Sequence, residues 1–173
     1  MTISVIIPSF NAAKWLPAAV ASVRAQIRPA DEIVIVDDGS TDGTRELCQT
    51  FGERVRYVAR ENGGLAAARN TGVAATSGEW LLFLDADDVL VPDALASLSR
   101  SAERSDAGVV YGFVLQRRAV ATETRLHGLP YAVGDPPAPA KAHFWWTPIP
   151  TAGAALIRRS LNEEVGGFDE NFR

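Results

Sequence analysis

The sequence predicts an α/β fold in which a mostly parallel sheet carries helices on both faces. Three observations predict it. Short runs rich in Ile and Val alternate with longer helix-patterned stretches from Ile3 to Glu103. These runs are apolar almost without interruption, as strands covered on both faces are. The chain of 173 residues contains one cysteine, Cys48, so no internal disulfide is available and packing alone must make the core. A chain of this length buries roughly 70% of the surface its unfolded form exposes.

Each element follows from its residues. "ISVIIPSF" (3–10) is a buried strand by its Ile and Val content. "AAKWLPAAVASVRAQ" then sets Trp15, Leu16, Val20 and Val23 at helical spacing, with Pro17 in the first turn. "DEIVIVDDGS" is a second strand ending in acid. In "STDGTRELCQTFG", Ser or Thr is expected to cap a helix that Gly52 closes. "VRYVARE" is a third strand, "GGLAAARNTGVAAT" a helix of small residues and "GEWLLFLDADD" a fourth strand. "PDALASLSRSAE" starts a helix with Pro92 near its first position, and Asp88 reads as a cap for that helix. Beyond residue 107 the rhythm weakens. "AGVVYGFVLQRR" reads as one strand, residues 127–150 as a long Pro- and Gly-rich functional loop, and "TAGAALIRRSLNEEVGGFDENFR" as a strand followed by a short helix.

Composition excludes some classes. A formal net charge of −4 gives no electrostatic basis for holding nucleic acid through its phosphates. "MTISVIIPSFN" has no basic leader, and no stretch approaches the ~20 apolar residues of a membrane span. A cytoplasmic setting is expected, with docking at the inner face of a membrane compatible with it. His127 and His143 are too far apart in the loop-rich stretch to read as a metal pair.

Chemistry is expected where parallel strands end, because ligands of such sheets settle at the carboxyl ends of the strands. Two acidic clusters fall there: Asp37 and Asp38 in "VDDGS", and Asp85, Asp87 and Asp88 in "LDADD". Two carboxylates about 5 Å apart repel by roughly 3 kcal/mol at an effective dielectric near 20, so a cation, a proton or solvent must relieve them. Oxygen ligands from aspartate, completed by diphosphate oxygens, suit Mg²⁺ or Mn²⁺ rather than zinc. Either cluster alone reads equally well as a helix cap or a solvated turn; two clusters on one sheet favour a ligand site.

The ordered set "SVIIPSFN", "EIVIVDDGSTDGT", "RENGGLAAARNTG" and "GEWLLFLDADD", with "EVGGFDENF" at 164–172, resembles the family 2 glycosyltransferases of GT-A fold. The resemblance covers nearly the whole chain. It implies a Rossmann-like GT-A sheet. It also implies transfer of a sugar, with inversion, from a UDP- or GDP-linked donor to the hydroxyl of a saccharide or lipid-linked acceptor. Polysaccharide or cell-wall assembly is the usual context. By resemblance, Pro8, Ser9 and Phe10 line the base pocket, Asp38 hydrogen-bonds the base with Asp37 beside it, and Arg69 pairs with ribose or phosphate oxygens. "LDADD" matches the DXD motif, with Asp87 as the main metal ligand and Asp85 as its partner to metal or ribose. Residues 1–173 form one domain, of which 1–106 is the nucleotide-sugar-binding half and 107–173 a partial acceptor half.

The sequence departs from the family pattern at one point. Family members usually carry the catalytic base as a Glu-Asp pair or single Asp some way after "GGFDE". Here that base is expected beyond Arg173, in a longer enzyme of which this chain is a truncated piece, with Asp169 the candidate inside it and Glu170 adjacent. Specificity is expected to reside in the 127–150 loop, where Trp145 and Trp146 either stack on a sugar ring or anchor the loop. A non-catalytic nucleotide-sugar-binding module is the alternative. A nucleotidyltransferase is a further one, disfavoured because "PSFNAAKW" has no glycine to cradle a triphosphate.

Overall fold

The structure, a computed structural model, describes residues 1–112, 114–117, 124–127 and 152–171. Its centre is β1 (Ile3–Ser9), buried along its whole length. β2 (Glu32–Asp37) lies parallel on one side of it and β4 (Trp80–Phe83) parallel on the other, while β3 (Arg56–Ala59) extends the sheet beyond β2. Helices α1 (Leu16–Arg24), α2 (Thr44–Gln49) and α3 (Leu65–Ala74) make the crossovers, and α4 (Ala94–Glu103) follows β4. The six-stranded sheet has the order β3-β2-β1-β4-β8-β5, completed by β5 (Val109–Tyr111) and β8 (Ala155–Arg158). β8 runs antiparallel to both β4 and β5. A one-turn 3₁₀ helix (Ala152–Ala154) precedes β8, and α5 (Arg159–Glu164) follows it.

Strand side chains alternate between faces, and each face has its own helices. Ile3, Val5 and Ile7 of β1, with Ile33, Ile35 and Leu82, pack under Leu16, Val20 and Val23 of α1, Cys48 of α2 and Leu95 and Leu98 of α4. Ile6, Val34, Val36, Leu81 and Phe83 face the other way and meet Ala68 of α3, with Val73 and Phe168 packed alongside. The uninterrupted apolar runs in the sequence are the trace of this two-sided cover.

Several local expectations are corrected. The stretch 107–118 is two strands: β5 stays in the main sheet, and β6 (Val114–Arg117) pairs antiparallel with β7 (Thr124–His127) in a separate two-stranded sheet. Gly112, with no side chain to pack, follows the end of β5 and donates its N–H to the Ala154 carbonyl (2.8 Å). β7 was missed because "TRLH" carries a single strong apolar residue. Gly43 holds the N-cap position of α2 with no side-chain cap bond from Ser or Thr, and Asp42 stands just before it. Asp42 Oδ1 accepts from Thr44 N (3.0 Å) and its Oδ2 from Ala13 N (3.2 Å). The bond from the Thr44 hydroxyl leads the causes that lower its pKa. α4 begins at Ala94 after Asp93, two residues past Pro92, so Asp88 does not hold the cap position expected of it.

At the opposite end of the sheet, Glu32 staples the starts of three strands. Its carboxylate accepts from the Ser4 hydroxyl, from Ser77 N and Oγ (both 2.9 Å) and from Gly78 N (3.1 Å). Burial alone would raise its pKa, but these bonds outweigh it and hold the group at about 2. Since the folded value lies below the ordinary 4.5, the staple's contribution is complete above that pH and is lost as pH falls toward about 2. Urea midpoints measured from pH 5 down to pH 2 are therefore expected to fall more steeply for the wild type than for Glu32→Gln; equal slopes would contradict the staple.

Candidate active site

The parallel strands bring their carboxyl ends to one edge. Ser9 is level with Asp37 in the register of β1 and β2, and Ala59 is level with Asp37 across β3. Phe83 pairs with Ile6, so Asp85 emerges just past the end of β4 at the same edge.

Asp38 is 4% exposed and heavily engaged. Its Oδ1 accepts from the Arg60 guanidinium and from Gly63 N (3.0 Å), and its Oδ2 accepts from Gly64 N (2.8 Å). Its own carbonyl accepts from Asn62 Nδ2 (2.9 Å). The acid therefore ties the end of β2 to the turn that starts α3. Asp37 is used differently: Oδ1 accepts from Ser40 N (2.9 Å) and Oδ2 from the Tyr57 hydroxyl (2.6 Å). Both of its oxygens are thus occupied within the chain, beside a cleft of about 350 Å³ lined by Ser40, Arg45, Tyr57 and Arg60 among others. Burial, then the Asp37 carboxylate, raise the Tyr57 pKa.

Asn11 was overlooked in the sequence. It holds φ at +49°, a conformation Asn tolerates better than most residues. Its Oδ1 accepts from Thr41 N (2.8 Å) and Asp42 N (3.3 Å), and its N–H donates to Ser40 Oγ (2.9 Å). Asn11 thus helps to join the loops after β1 and β2, together with the bond from Ala13 N to Asp42. Just before it, Phe10 stands 53% exposed, an aromatic face at the strand edge. Pro8 is buried within β1.

The acidic turn after β4 is closed by the Asp88 N–H donating to the Asp85 carbonyl (3.0 Å). Asp85 Oδ1 accepts from Arg69 Nη2 (3.0 Å). Asp87 is exposed and Asp88 half-buried. Burial raises the Asp88 pKa, and the charges of Asp85 and Asp87 raise it further. Of the three carboxylates in this turn the Arg69 guanidinium pairs with that of Asp85, which among the described residues leaves an excess of negative charge, and hard oxygen donors in that excess fit a divalent cation such as Mg²⁺ or Mn²⁺. Among the described residues no three His, Cys, Asp or Glu side chains are arranged to hold a metal by themselves, so Asp85 and Asp87 would need oxygens from a ligand or water to complete a shell.

Two buried polar atoms at this edge have no partner among the described residues: Ser9 Oγ and Arg69 Nε. Each such orphan costs about 1–3 kcal/mol unless a ligand or water satisfies it. Asp169, by contrast, is exposed and accepts from Asn171 N (2.9 Å) and Nδ2 (3.0 Å), while Glu170 Oε1 accepts from Asn70 Nδ2 (2.8 Å). A further cleft, of about 730 Å³, lies at the far end of the sheet, where Arg24, Glu32, Glu53, Arg54 and Arg56 mix both charges. The greater part of the 127–150 loop, with His143, Trp145 and Trp146, lies outside the described residues.

This sheet order, with helices on both faces and acids at the carboxyl ends, is that of a GT-A glycosyltransferase domain. The model of the family "Glycosyl transferase family 2" matches residues 4–166, and the chain belongs to that family. It is similar to the glycosyltransferase GlyG of Streptococcus pneumoniae serotype 4, 38% identical over 114 residues, which are 64% of this chain and 38% of that protein. Among solved structures it resembles S. aureus TarS 1-349 in complex with UDP, with TM-score 0.77, 23% identity and coverage of 99% of this chain and 51% of that one. It also resembles the mannosyltransferase PcManGT from Pyrobaculum calidifontis in complex with GDP-Man and Mn2+, with TM-score 0.72, 26% identity and coverage of 98% and 48%. The chain thus spans about half the length of these solved chains and less of GlyG. No helix among the described residues is long and apolar enough to cross a membrane.

Proposed function

We propose that this chain is the donor-binding part of an enzyme that transfers a sugar from a nucleoside diphosphate to an acceptor hydroxyl with inversion, assisted by Mn²⁺ or Mg²⁺. The observation that carries the reading is the gathering of Ser9, Arg69 and the Asp85–Asp87 turn at one sheet edge, with two of their buried polar atoms left without partners among the described residues. The family membership supports it, as does the likeness to PcManGT, whose structure holds GDP-Man and Mn2+.

In this reading Phe10 stacks on the base, and Asp38 accepts a base N–H. A carboxylate offers about four acceptor positions, and three are already taken within the chain. The Ser9 hydroxyl and the Arg69 Nε–H bond ribose or phosphate oxygens. Asp85 and Asp87 would hold the cation, which when bound would stabilise charge on the departing diphosphate. The acceptor hydroxyl attacks the opposite face of the anomeric carbon as a carboxylate takes its proton. Asp169, with Oδ1 bonded to Asn171, is the candidate among the described residues, and the base is assigned to residues outside them. The same observation favours a second reading, in which this chain binds the donor without transferring the sugar.

Isothermal titration with UDP and GDP, with and without Mn²⁺, tests the site. Asp87→Ala is expected to remove the Mn²⁺-dependent part of the affinity while leaving the circular dichroism spectrum unchanged. Retention of that part would overturn the assignment of Asp87. Donor hydrolysis or transfer by the same protein separates the enzyme from the binding module.

A further inference from the structure

α3 carries Arg69 and Asn70 side by side, and each grips the segment Gly166–Asn171 from the far end of the sequence. Asn70 Oδ1 accepts from Phe168 N (3.0 Å), and its Nδ2 donates to the Phe168 carbonyl (2.9 Å) and to Glu170 Oε1 (2.8 Å). The amide thus reads the Phe168 backbone in both directions. Gly167 makes the approach possible: its φ is +76°, and a Cβ there would stand 2.9 Å from Asn70 Oδ1. So fixed, the Phe168 ring meets the fully buried Phe83 ring edge-on, with centroids 5.0 Å apart and planes at 82°. The Arg69 guanidinium lies over the Phe168 ring, its Cζ 5.3 Å from the centroid, while its Nη2 reaches Asp85 Oδ1 at 3.0 Å.

We propose that Phe168, locked by Asn70, is the positioning residue of the Arg69–Asp85 pair, so that the segment Gly166–Asn171 acts as the back support of the acidic turn. A guanidinium on a flexible stem has many rotamers, and attraction to the face of an aromatic ring selects among them. Phe168 supplies that face, and Arg69 in turn fixes the carboxylate nearest the strand end. The consequence for ligand binding rests on the donor-site reading above. The positioning itself does not.

The experiment separates the two. In nitrogen-15 NMR spectra the Arg69 Nε–Hε signal of the wild type is expected to be displaced by the ring current of Phe168 and slow to exchange with water, because Nε is buried. Phe168→Leu is expected to abolish the displacement and Phe168→Tyr to keep it. Asn70→Ala, which removes no core side chain, is expected to reduce it by loosening the lock and serves if Phe168→Leu does not fold. In titrations with UDP or GDP and Mn²⁺, Phe168→Leu is expected to weaken binding by about tenfold and to have no further effect in an Arg69→Ala background. An unchanged Arg69 signal in Phe168→Leu, or additive losses of affinity, would overturn the proposal. Absence of Mn²⁺-dependent nucleotide binding in the wild type counts against the donor-site reading alone, and the Arg69 signal still decides the positioning role.

Discussion

Asp38→Ala is expected to lower the melting temperature by about 6–12 °C, the effect of roughly 3 kcal/mol on a domain of this size. The carboxylate accepts from Arg60, Gly63 N and Gly64 N at once. Removing it leaves these donors without a partner. Arg60, with its side chain 23% exposed, recovers much of its loss by turning to water, so the ion pair itself contributes modestly. The two backbone N–H groups are fixed at the start of α3 and recover less, at about 1–3 kcal/mol for each buried orphan. Asn62 still holds the Asp38 carbonyl, so the turn loosens without detaching. Asp38→Asn is expected to fall between wild type and alanine, because its amide keeps one acceptor while presenting a donor to a ring of donors. Calorimetry of the three proteins checks the order. Equal stability of wild type and Asp38→Ala would show that the turn at Arg60–Gly64 is held by other contacts. The same series in nucleotide titrations separates the two roles given to Asp38: a structural role alone predicts that Asp38→Asn binds nucleotide as the wild type does.

The parallel core was legible because burial on both faces leaves a simple trace, runs such as "VII", "IVIV" and "WLLFL" without polar interruption. The edge that carries the acids was legible for the same reason, since an acid just after such a run must stand at a strand's carboxyl end. What those acids bond to was not. Asp38 finds Arg60 and Asp37 finds Tyr57 across separations of 22 and 20 residues, and Asn70 finds Phe168 across 98. No periodicity encodes such pairings. Their local signs, an Asn directly after "PSF" and a double glycine before Phe168, become interpretable only once backbone angles are known. β7 escaped because a strand outside the main sheet has no need of the two-sided apolar cover that marked the others. The antiparallel direction of β8 was equally hidden, since direction depends on the path of the chain before it and not on the strand's own residues.

Gly72→Ala tests a close approach of α3 to the sheet, and two effects of opposite sign meet there. Inside an exposed helix the change would stabilise by about 1 kcal/mol, because alanine loses less backbone freedom. In α3 the new Cβ would stand 2.2 Å from Ile6 Cγ2, with Ile6 Cγ1 and Val36 Cγ2 both at 3.3 Å. Ile6 cannot give way: it is fully buried on the central strand, paired with Val34 on one side and Phe83 on the other. Overpacking of this kind costs about 1–3 kcal/mol and sometimes more. With the overlap directed at a central strand, the upper part of that range applies, and the net expectation is a loss of about 2 kcal/mol. Either α3 lifts from the sheet, moving Arg69 and Asn70 with it, or Ile6 leaves its rotamer. A double-mutant cycle distinguishes the cause. Ile6→Ala alone is expected to cost about 2–5 kcal/mol as a cavity, but less in the Gly72→Ala background, because the methyl group partly fills the space that the isoleucine vacates. Strict additivity, or a Gly72→Ala protein as stable as the wild type, would show that α3 has room to rise without consequence, and the contact with Ile6 would then not be what sets the height of the helix above the sheet.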